Sequence, residues 1–263
     1  MQLKNAVCIV TGSASGIGAA SAILLAAKGA RVVVNYSKSE DSARATRDAC
    51  LAAGAQVGGD ALLVKADVAQ DVDCRRLAQT ALDKWGRIDA LVNNAGTTKF
   101  VDHADLDGLS AEDFLRIYAV NVVGTFQMAR ACAPALKKSG HGAIVNTSSI
   151  AGTRGVGSSI AYAASKGALN TLTLSLARVL GPEIRVNAVC PGFVDTEWMH
   201  QRYGERFGAA EDRYRQSTPL ARVGKPEEVA DAIVWLIEGA PITTGETILL
   251  DSGMHLGMPP RRV

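Results

Sequence analysis

The feature that most constrains the fold of this chain is the run TGSASGIG at positions 11–18. It follows the apolar residues 6–10 and leads into an Ala- and Leu-rich stretch, which is the order strand, turn and helix. Free backbone N–H groups and the positive end of a helix then point the same way and favour an anion. The alternative is a turn that only caps the helix. We predict a nucleotide phosphate site.

The three glycines of this run have separate uses. Gly12 allows a tight turn after the strand, Gly16 allows the backbone to approach a pyrophosphate, and Gly18 allows the helix to pack close to the sheet. The spacing is G-x3-G-x-G rather than G-x-G-x-x-G, so the loop is related to the usual dinucleotide fingerprint but distinct from it.

Composition limits the class of protein. The 263 residues contain no linker-like segment, which favours one large α/β domain over residues 1–263. The net charge of +2 does not favour nucleic acid as a partner, and no apolar stretch is long enough for a membrane span. Five cysteines without a C-x-x-C pair indicate buried thiols, a cytoplasmic location and no metal site.

Short β-branched runs alternate with helical stretches along the chain. Strands are predicted at 6–11, 31–35, 61–66, 90–93, 142–147, 185–189 and 247–250. Helices are predicted at 16–28, 39–53, 71–85, 121–139, 162–180 and 226–238. This alternation predicts a single Rossmann-like, doubly wound parallel sheet of about seven strands with helices on both faces. Its ligand cleft would lie at the carboxyl ends of the strands, where polar residues follow the third to sixth strands.

A second signal is the segment YAASK, which places Tyr162 and Lys166 four residues apart. On a helix these side chains share a face. The alternative is a solvated surface pair. A phenol with a pKa of about 10 is a poor proton donor at neutral pH, and a nearby cation favours the phenolate. We therefore expect Lys166, with the positive charge of an oxidised nicotinamide, to lower the pKa of Tyr162.

Together these residues resemble the short-chain dehydrogenase/reductase superfamily in its single-domain form. The resemblance extends from the first strand to residue 253 and includes the T-G-x3-G-x-G loop, N-N-A-G at 93–96, Y-x3-K and P-G at 191–192. It implies a catalytic set of Asn121, Ser149, Tyr162 and Lys166. Ser149, rather than Ser148, matches the family spacing to the tyrosine.

The resemblance also implies a role for each residue of this set. Tyr162 would exchange a proton with the carbonyl or alcohol oxygen, and Ser149 would hydrogen-bond the same oxygen. Lys166 would lower the tyrosine pKa and hold the nicotinamide ribose. Asn121, which could also be the N-cap of the helix at 121–139, would hold a water that links Lys166 to solvent.

The cofactor site that the resemblance implies is made mainly of residues at the carboxyl ends of the strands. It comprises Gly12, Ser13, Ser15, Gly16, Ile17, Gly18, Tyr36, Ser37, Lys38, Asp67, Val68, Asn93, Ala95, Gly96, Tyr162, Lys166, Pro191, Gly192, Val194 and Thr196. Asp67 would accept from the adenine amine, and residues 191–196 would hold the nicotinamide carboxamide.

The end of the second strand bears on the choice of cofactor. NAD-specific sites usually have an acid there, which binds the ribose 2′-hydroxyl and repels a 2′-phosphate. Tyr36 occupies that place, and the following Ser37 and Lys38 could contact a phosphate. Ser15 stands where many NADP-dependent relatives have a basic residue. We predict that NADP(H) is preferred, with NAD(H) still usable and Glu40 or Asp41 as the alternative ribose ligand.

Residues 196–220 are predicted to form a substrate lid, with a surface insertion as the alternative. Phe100, Ile150, Arg154 and Phe193 are candidates for the substrate pocket.

The predicted function is NADP(H)-dependent reduction of a carbonyl to a secondary alcohol, or the reverse, on a small-molecule substrate. One alternative is a 3-oxoacyl-thioester reductase, whose acidic carrier protein would need a basic surface. Lys99, Arg154, Arg202 and Arg206 are the candidates for that surface. Another alternative is a regulator that binds nucleotide without turnover. The family resemblance further implies a homotetramer assembled through helices 121–139 and 162–180 and the last strand.

Overall fold

Strands and helices alternate in the computed structural model, which describes residues 1–257. The strands are β1 (Val7–Val10), β2 (Arg31–Tyr36), β3 (Asp60–Lys65), β4 (Ala90–Asn93), β5 (Gly142–Thr147), β6 (Ile184–Pro191) and β7 (Thr247–Leu250). The helices are α1 (Gly16–Ala27), α2 (Glu40–Gly54), α3 (Asp71–Trp85), α4 (Ala111–Tyr118), α5 (Thr125–Ser139), α6 (Ala151–Arg154), α7 (Ile160–Leu180), α8 (Glu197–Tyr203), α9 (Phe207–Gln216) and α10 (Pro226–Glu238). The predicted domain runs to residue 263, and residues 258–263 lie outside the described range.

The seven strands form one parallel sheet in the order β3-β2-β1-β4-β5-β6-β7. Val10 of β1 lies beside Val34 of β2 on one side and Val92 of β4 on the other. The strand order therefore reverses at β1 and β4, and the loops at their carboxyl ends diverge to leave a crevice. This confirms the predicted doubly wound sheet.

The sheet is buried on both faces because helices cover each of them. Along β1, Cys8 and Val10 pack into an apolar layer with α1, α2 and α10. Val7 and Ile9 point to the other face and pack with α3, α5 and α7. Strands buried on two faces need continuous apolar runs, which is why β1 and β4 contain almost no polar residue.

The predicted strand and helix bounds agree within two residues except for the helix at 121–139. That segment begins as a π-helical turn over Ala119–Gly124, which continues α4, and α5 starts only at Thr125. The predicted N-cap role of Asn121 is therefore wrong, because this residue lies inside a continuous helix. The sequence does contain the signal for α4, since Ser110 and Asp113 form a capping box.

The predicted lid segment is helical rather than a loop, because it contains α8 and α9. Both helices are polar, and aromatic residues anchor them to the body of the protein. The Phe193 ring lies 5.9 Å from Tyr203, 5.8 Å from Phe207 and 5.4 Å from Tyr214, measured between ring centroids. Clustered aromatic rings of this kind supply the apolar contact area that a polar helix lacks.

Within residues 1–257, the helices are all too short or too polar to cross a membrane.

Candidate active site

The carboxyl ends of the central strands open into one cleft with a volume of about 830 Å³. Most residues predicted for catalysis or cofactor binding line it. These are Gly12, Ser15, Gly16, Ile17, Tyr36, Ser37, Lys38, Asp67, Val68, Ala95, Gly96, Ser149, Tyr162, Lys166, Pro191, Gly192, Val194 and Thr196. Four predicted residues, Ser13, Gly18, Asn93 and Asn121, lie behind the cleft wall instead.

The glycine loop presents bare backbone to this cleft. Gly12 and Gly16 have φ values of 60° and 56°, a region that side chains rarely adopt. A Cβ on Gly12 would lie 2.7 Å from the Cα of Ala95, and one on Gly16 would lie 3.5 Å from Cγ2 of Thr196 across the cleft. The loop therefore fits a phosphate group that approaches the N-terminus of α1.

Three polar side chains shape this loop from behind. Asn35 Oδ1 accepts from the Gly12 N–H at 3.1 Å, and Asn94 Nδ2 donates to the Gly12 carbonyl at 3.0 Å. The Ser13 hydroxyl donates to a β1 carbonyl at 2.7 Å and is fully buried. Gly18 is needed because a Cβ there would lie 2.5 Å from Asn94 Nδ2. Ser13 and Gly18, both predicted for the cofactor site, thus shape the loop from outside the cleft lining.

Asn93 and Asn94 face opposite ways. Asn93, at the end of β4, is buried and donates to Asn146 Oδ1 at 3.0 Å, and Asn146 in turn donates to Thr173 at 2.9 Å. Asn94, one residue further on, borders the cleft. Asn94 therefore borders the cleft where Asn93 was predicted, and Asn93 contacts the neighbouring strand of the sheet instead. The alternation of side chains along a strand was the signal that could have separated them.

Ser149, Tyr162 and Lys166 meet on one wall of the cleft. Ser159 caps α7 by accepting from the Tyr162 N–H, so Tyr162 stands in the first turn of the helix. The Lys166 Nζ lies 5.6 Å from the Tyr162 ring centroid and donates to the Thr147 carbonyl at 2.7 Å. The Ser149 side chain lies beside the Tyr162 phenol and acts to lower its pKa. The Tyr-x3-Lys spacing thus places both groups beside the serine.

The neighbouring serines have different partners, and their geometry favours Ser149. The hydroxyl of Ser148 is buried and donates to the Lys166 backbone carbonyl at 3.2 Å. Ser149 is partly exposed and reaches the tyrosine. The Ser148 side chain thus connects α7 to the end of β5, whereas the Ser149 side chain remains available to a substrate.

Burial shifts the pKa values of this cluster against the expected direction. It raises the pKa of Tyr162 to about 12, although the Ser149 side chain lowers it in part. Burial also lowers the pKa of Lys166 to about 8. The expectation that Lys166 lowers the tyrosine pKa is wrong for the chain alone, because desolvation of the phenolate outweighs an ammonium held at this distance.

Asn121 supports the cluster without reaching the cleft. Its Oδ1 accepts from the Thr97 N–H at 2.8 Å, and its Nδ2 donates to the Thr97 carbonyl and to Ser165 Oγ, both at 3.0 Å. These bonds tie the loop after β4 to α7, one residue before Lys166. All of its side-chain polar atoms therefore have protein partners, and the π-helical turn that carries it is a geometry common at functional sites.

At the far end of the cleft, Tyr36 stands at the end of β2. Its phenol bonds to the Glu40 carboxylate, which is also paired with Arg44. The guanidinium holds the pKa of Glu40 below its usual value. The exposed Lys38 lines the same part of the cleft. Glu40, the nearest acid, is thus already neutralised by a cation.

Asp67, at the end of β3, is exposed at the cleft, and its Oδ1 accepts from the Ala69 N–H at 3.0 Å.

The predicted lid segment contacts the wall that carries Tyr162 through Trp198. Its ring lies edge-on to Tyr162 at 6.0 Å and to Phe100 at 6.4 Å. Of the predicted pocket residues, Phe100, Ile150 and Phe193 line the cleft. Arg154 is outside the lining, and its guanidinium donates to the Met254 carbonyl at 3.1 Å. Phe100, Ile150 and Phe193 thus stay candidates for the substrate pocket.

This fold and cleft define the class as a dinucleotide-binding α/β protein with a Ser, Tyr and Lys cluster at the reacting end. A family model described as enoyl-(acyl carrier protein) reductase matches residues 12–255. A ketoacyl reductase of the granaticin polyketide synthase from Streptomyces violaceoruber is 47% identical, over 95% of this chain and 96% of that protein. A 3-oxoacyl-[acyl-carrier-protein] reductase from Synechocystis is 38% identical, over 96% of this chain and 98% of that protein.

Solved structures agree with these relatives. A short-chain dehydrogenase/reductase from Burkholderia xenovorans superposes with a TM-score of 0.89 at 44% identity, covering 96% of this chain and 99% of that one. Levodione reductase also superposes with a TM-score of 0.89, at 28% identity, and the match covers 96% of this chain and 98% of that one. The chain belongs to the short-chain dehydrogenase/reductase family. It is an oxidoreductase that acts on CH–OH or C=O groups of small molecules with a nicotinamide cofactor.

Proposed function

We propose that this enzyme reduces a ketone to a secondary alcohol with NADPH, and that Tyr162 is its proton donor. The observation that carries the proposal is the meeting of Ser149, Tyr162 and Lys166 on the cleft wall opposite the glycine loop. A bound nicotinamide supplies the hydride that reaches the carbonyl carbon. The chain's residues place the ketone and provide the proton.

In this proposal the ketone oxygen lies between the Ser149 hydroxyl and the Tyr162 phenol. Burial keeps the phenol protonated in the free enzyme, so it can donate as negative charge develops on the oxygen. Lys166 holds the nicotinamide ribose and stabilises the phenolate that remains. Asn121 positions Lys166 through its bond to Ser165.

Tyr162→Phe tests the assignment of the proton donor. Only the phenolic oxygen is lost, so NADPH affinity should stay within a few-fold while ketone reduction falls by about 10²–10⁴. Steady-state reduction and NADPH fluorescence titration measure the two effects. Tyr203→Phe is the matched control, since it removes a phenolic oxygen from the same cleft. Near-normal turnover by the Tyr162 variant would exclude it as the donor.

We propose that NADPH is preferred over NADH. Tyr36 replaces the acid that would repel a 2′-phosphate, and Lys38 is exposed beside it. Glu40 is paired with Arg44 and bonded to Tyr36, which argues against it as a free ribose ligand.

The expected preference is at least tenfold in kcat/KM. Tyr36→Asp should shift it towards NADH, because a carboxylate there repels the phosphate. Initial rates with both cofactors measure the change, and Tyr36→Phe controls for loss of the Glu40 hydrogen bond. A wild-type enzyme that prefers NADH would overturn the proposal and implicate Glu40 or Asp41.

A second candidate is reduction of 3-oxoacyl thioesters on a carrier protein, favoured by the reductase relative from Synechocystis. Two of the predicted docking cations have internal partners, since Lys99 pairs with Asp113 at 2.7 Å and Arg154 with a backbone carbonyl. We therefore rank free ketones first. Comparing acetoacetyl carrier protein with acetoacetyl N-acetylcysteamine separates the two, because only a docked carrier would raise kcat/KM.

We further propose that residues 1–263 act as one catalytic unit with a lid at 196–220, and that four copies assemble in the cytoplasm. Two separate apolar faces favour a tetramer. The first has Leu115 and Phe126 exposed on α4 and α5, and the second has Leu174, Trp235 and Ile242 exposed beside the edge strand β7. Two different self-complementary faces on one subunit suit a tetramer with three two-fold axes. All five cysteines are buried thiols, which suits a reducing compartment.

A further inference from the structure

Arg202 lies on α8 at the mouth of the cleft, and aromatic rings hold it there. Its guanidinium carbon is 5.2 Å from the Phe100 ring centroid and 4.9 Å from the Tyr203 centroid. Stacking on two rings keeps an arginine side chain in place while its N–H groups stay available.

Within residues 1–257, Arg202 has neither a carboxylate within 4 Å nor a hydrogen bond to another group. The neighbouring cations differ from Arg202 because they have a carboxylate partner. Lys99 and Arg116 share Asp113 as an ion-pair partner, at 2.7 and 3.4 Å. Glu197 also lines the cleft, and its carboxylate accepts from the neutral Gln201 at 3.2 Å rather than pairing with Arg202. At the substrate end of the cleft, Arg202 is thus a half-buried guanidinium without an ion-pair partner among residues 1–257.

Between Arg202 and the proton donor lie flat apolar surfaces. Trp198 and Phe100 are 38% and 42% exposed, which is unusual for large aromatic rings beside a cleft. Trp198 lies edge-on to both Tyr162 and Phe100, so the two rings separate the phenol from the guanidinium. A ligand that reaches both groups must therefore pass along them.

We propose that the substrate is a ring-containing ketone with a carboxylate at the end remote from its carbonyl group, and that Arg202 binds that carboxylate. The rings of Trp198 and Phe100 contact its apolar body while its oxygen reaches Ser149 and Tyr162. This substrate class rests on the proposed ketone reduction. A guanidinium and a carboxylate form paired, charge-assisted hydrogen bonds, which give orientation as well as affinity.

The test uses β-tetralone, a β-tetralone with a carboxylate on its aromatic ring, and the methyl ester of that acid. The wild-type enzyme should reduce the acid with a kcat/KM about tenfold higher than that of the ester. Arg202→Gln should abolish this ratio, so that its kcat/KM values for the acid and the ester, each divided by its own value for β-tetralone, become equal. Arg206→Gln is the matched control, because Arg206 is an exposed arginine four residues further on that lies outside the cleft lining.

Calorimetric titration of the acid and the ester into the NADP⁺-saturated enzyme gives a readout that does not depend on turnover. Tighter binding of the acid that requires Arg202 supports the inference even if no ketone is reduced, in which case the proposed function fails alone. Equal binding and equal rates for acid and ester overturn the inference while ketone reduction stands. If Arg202→Gln instead lowers only the rate on acetoacetyl-CoA, the arginine binds a phosphate and the carboxylate assignment is wrong.

Discussion

Lys166 is buried as a cation, so removing its charge should change how the stability of the cofactor-free protein depends on pH. The side chain is 4% exposed, and the Thr147 carbonyl at 2.7 Å is the hydrogen-bond acceptor of its ammonium group. Within residues 1–257 no carboxylate lies within 4 Å of it. Lys166→Met keeps the length of the side chain and removes the charge, and it should abolish tight binding of NADPH.

The size of the effect follows from the lowered pKa. A fall from 10.5 to about 8 corresponds to about 3 kcal/mol in the free energy of unfolding. The variant leaves the Thr147 carbonyl unpaired, which costs about 1–3 kcal/mol in return. The net change at neutral pH is therefore small, and the dependence on pH is the sensitive quantity.

The direction of that dependence is set by the two protonation equilibria. Below about pH 8 the lysine is charged in the folded and the unfolded chain, so the wild type bears the full penalty. Between pH 8 and 10.5 the unfolded chain holds a proton that the folded chain has lost, and the wild type gains stability as the pH rises. The stability of Lys166→Met relative to wild type should thus fall by up to about 3 kcal/mol across this window.

Urea unfolding followed by circular dichroism, from about pH 7 to about pH 10.5, measures the difference at one fixed protein concentration. Lys4→Met is the matched control, because Lys4 is exposed and the substitution changes the net charge equally. A difference between Lys166→Met and wild type that is the same at both ends of this range would refute the reasoning. It would mean that Lys166 keeps its ordinary pKa in the folded chain.

Gly18→Ala should destabilise the protein by about 1–3 kcal/mol and weaken NADPH binding, because its Cβ would lie 2.5 Å from Asn94 Nδ2 and from the Gly12 carbonyl. Gly208→Ala, where a Cβ meets open space in α9, serves as the control in the same urea and fluorescence titrations, and equal losses in both variants would contradict the prediction. Trp235→Lys should convert the proposed tetramer to a smaller species in size-exclusion chromatography with light scattering, because a charge is placed in the proposed face beside β7. Val72→Lys, at a 72% exposed position on α3, should leave the mass unchanged, and an unchanged mass for Trp235→Lys as well would exclude this face as an interface.

The pattern of residues within each segment was sufficient to predict most of the fold. The apolar runs of β1 and β4 predict strands that are buried on both faces, and the amphipathic stretches between strands predict helices with one buried face. The alternation of strands and helices along the chain then predicts parallel pairing. The glycine loop and the Tyr162–Lys166 spacing are equally local, since each lies within one turn or one helix. The sequence thus predicted the sheet, the cleft edge and the three residues that meet there.

Contacts between segments that are distant in the sequence determined the features that the local patterns did not predict. The segment 196–220 folds onto the body of the protein because its aromatic residues pack on Phe193, a contact that the sequence of the segment alone does not reveal. Asn94 rather than Asn93 faces the cleft because the register of β4 in the sheet directs the two side chains apart.

The electrostatics of Tyr162 and Lys166 depended most on tertiary structure. Their spacing predicts a lowered tyrosine pKa, whereas burial raises it to about 12. The sequence by itself determined which groups lie side by side. Only the folded chain determined how much water each group loses, and desolvation grows with every segment packed around it.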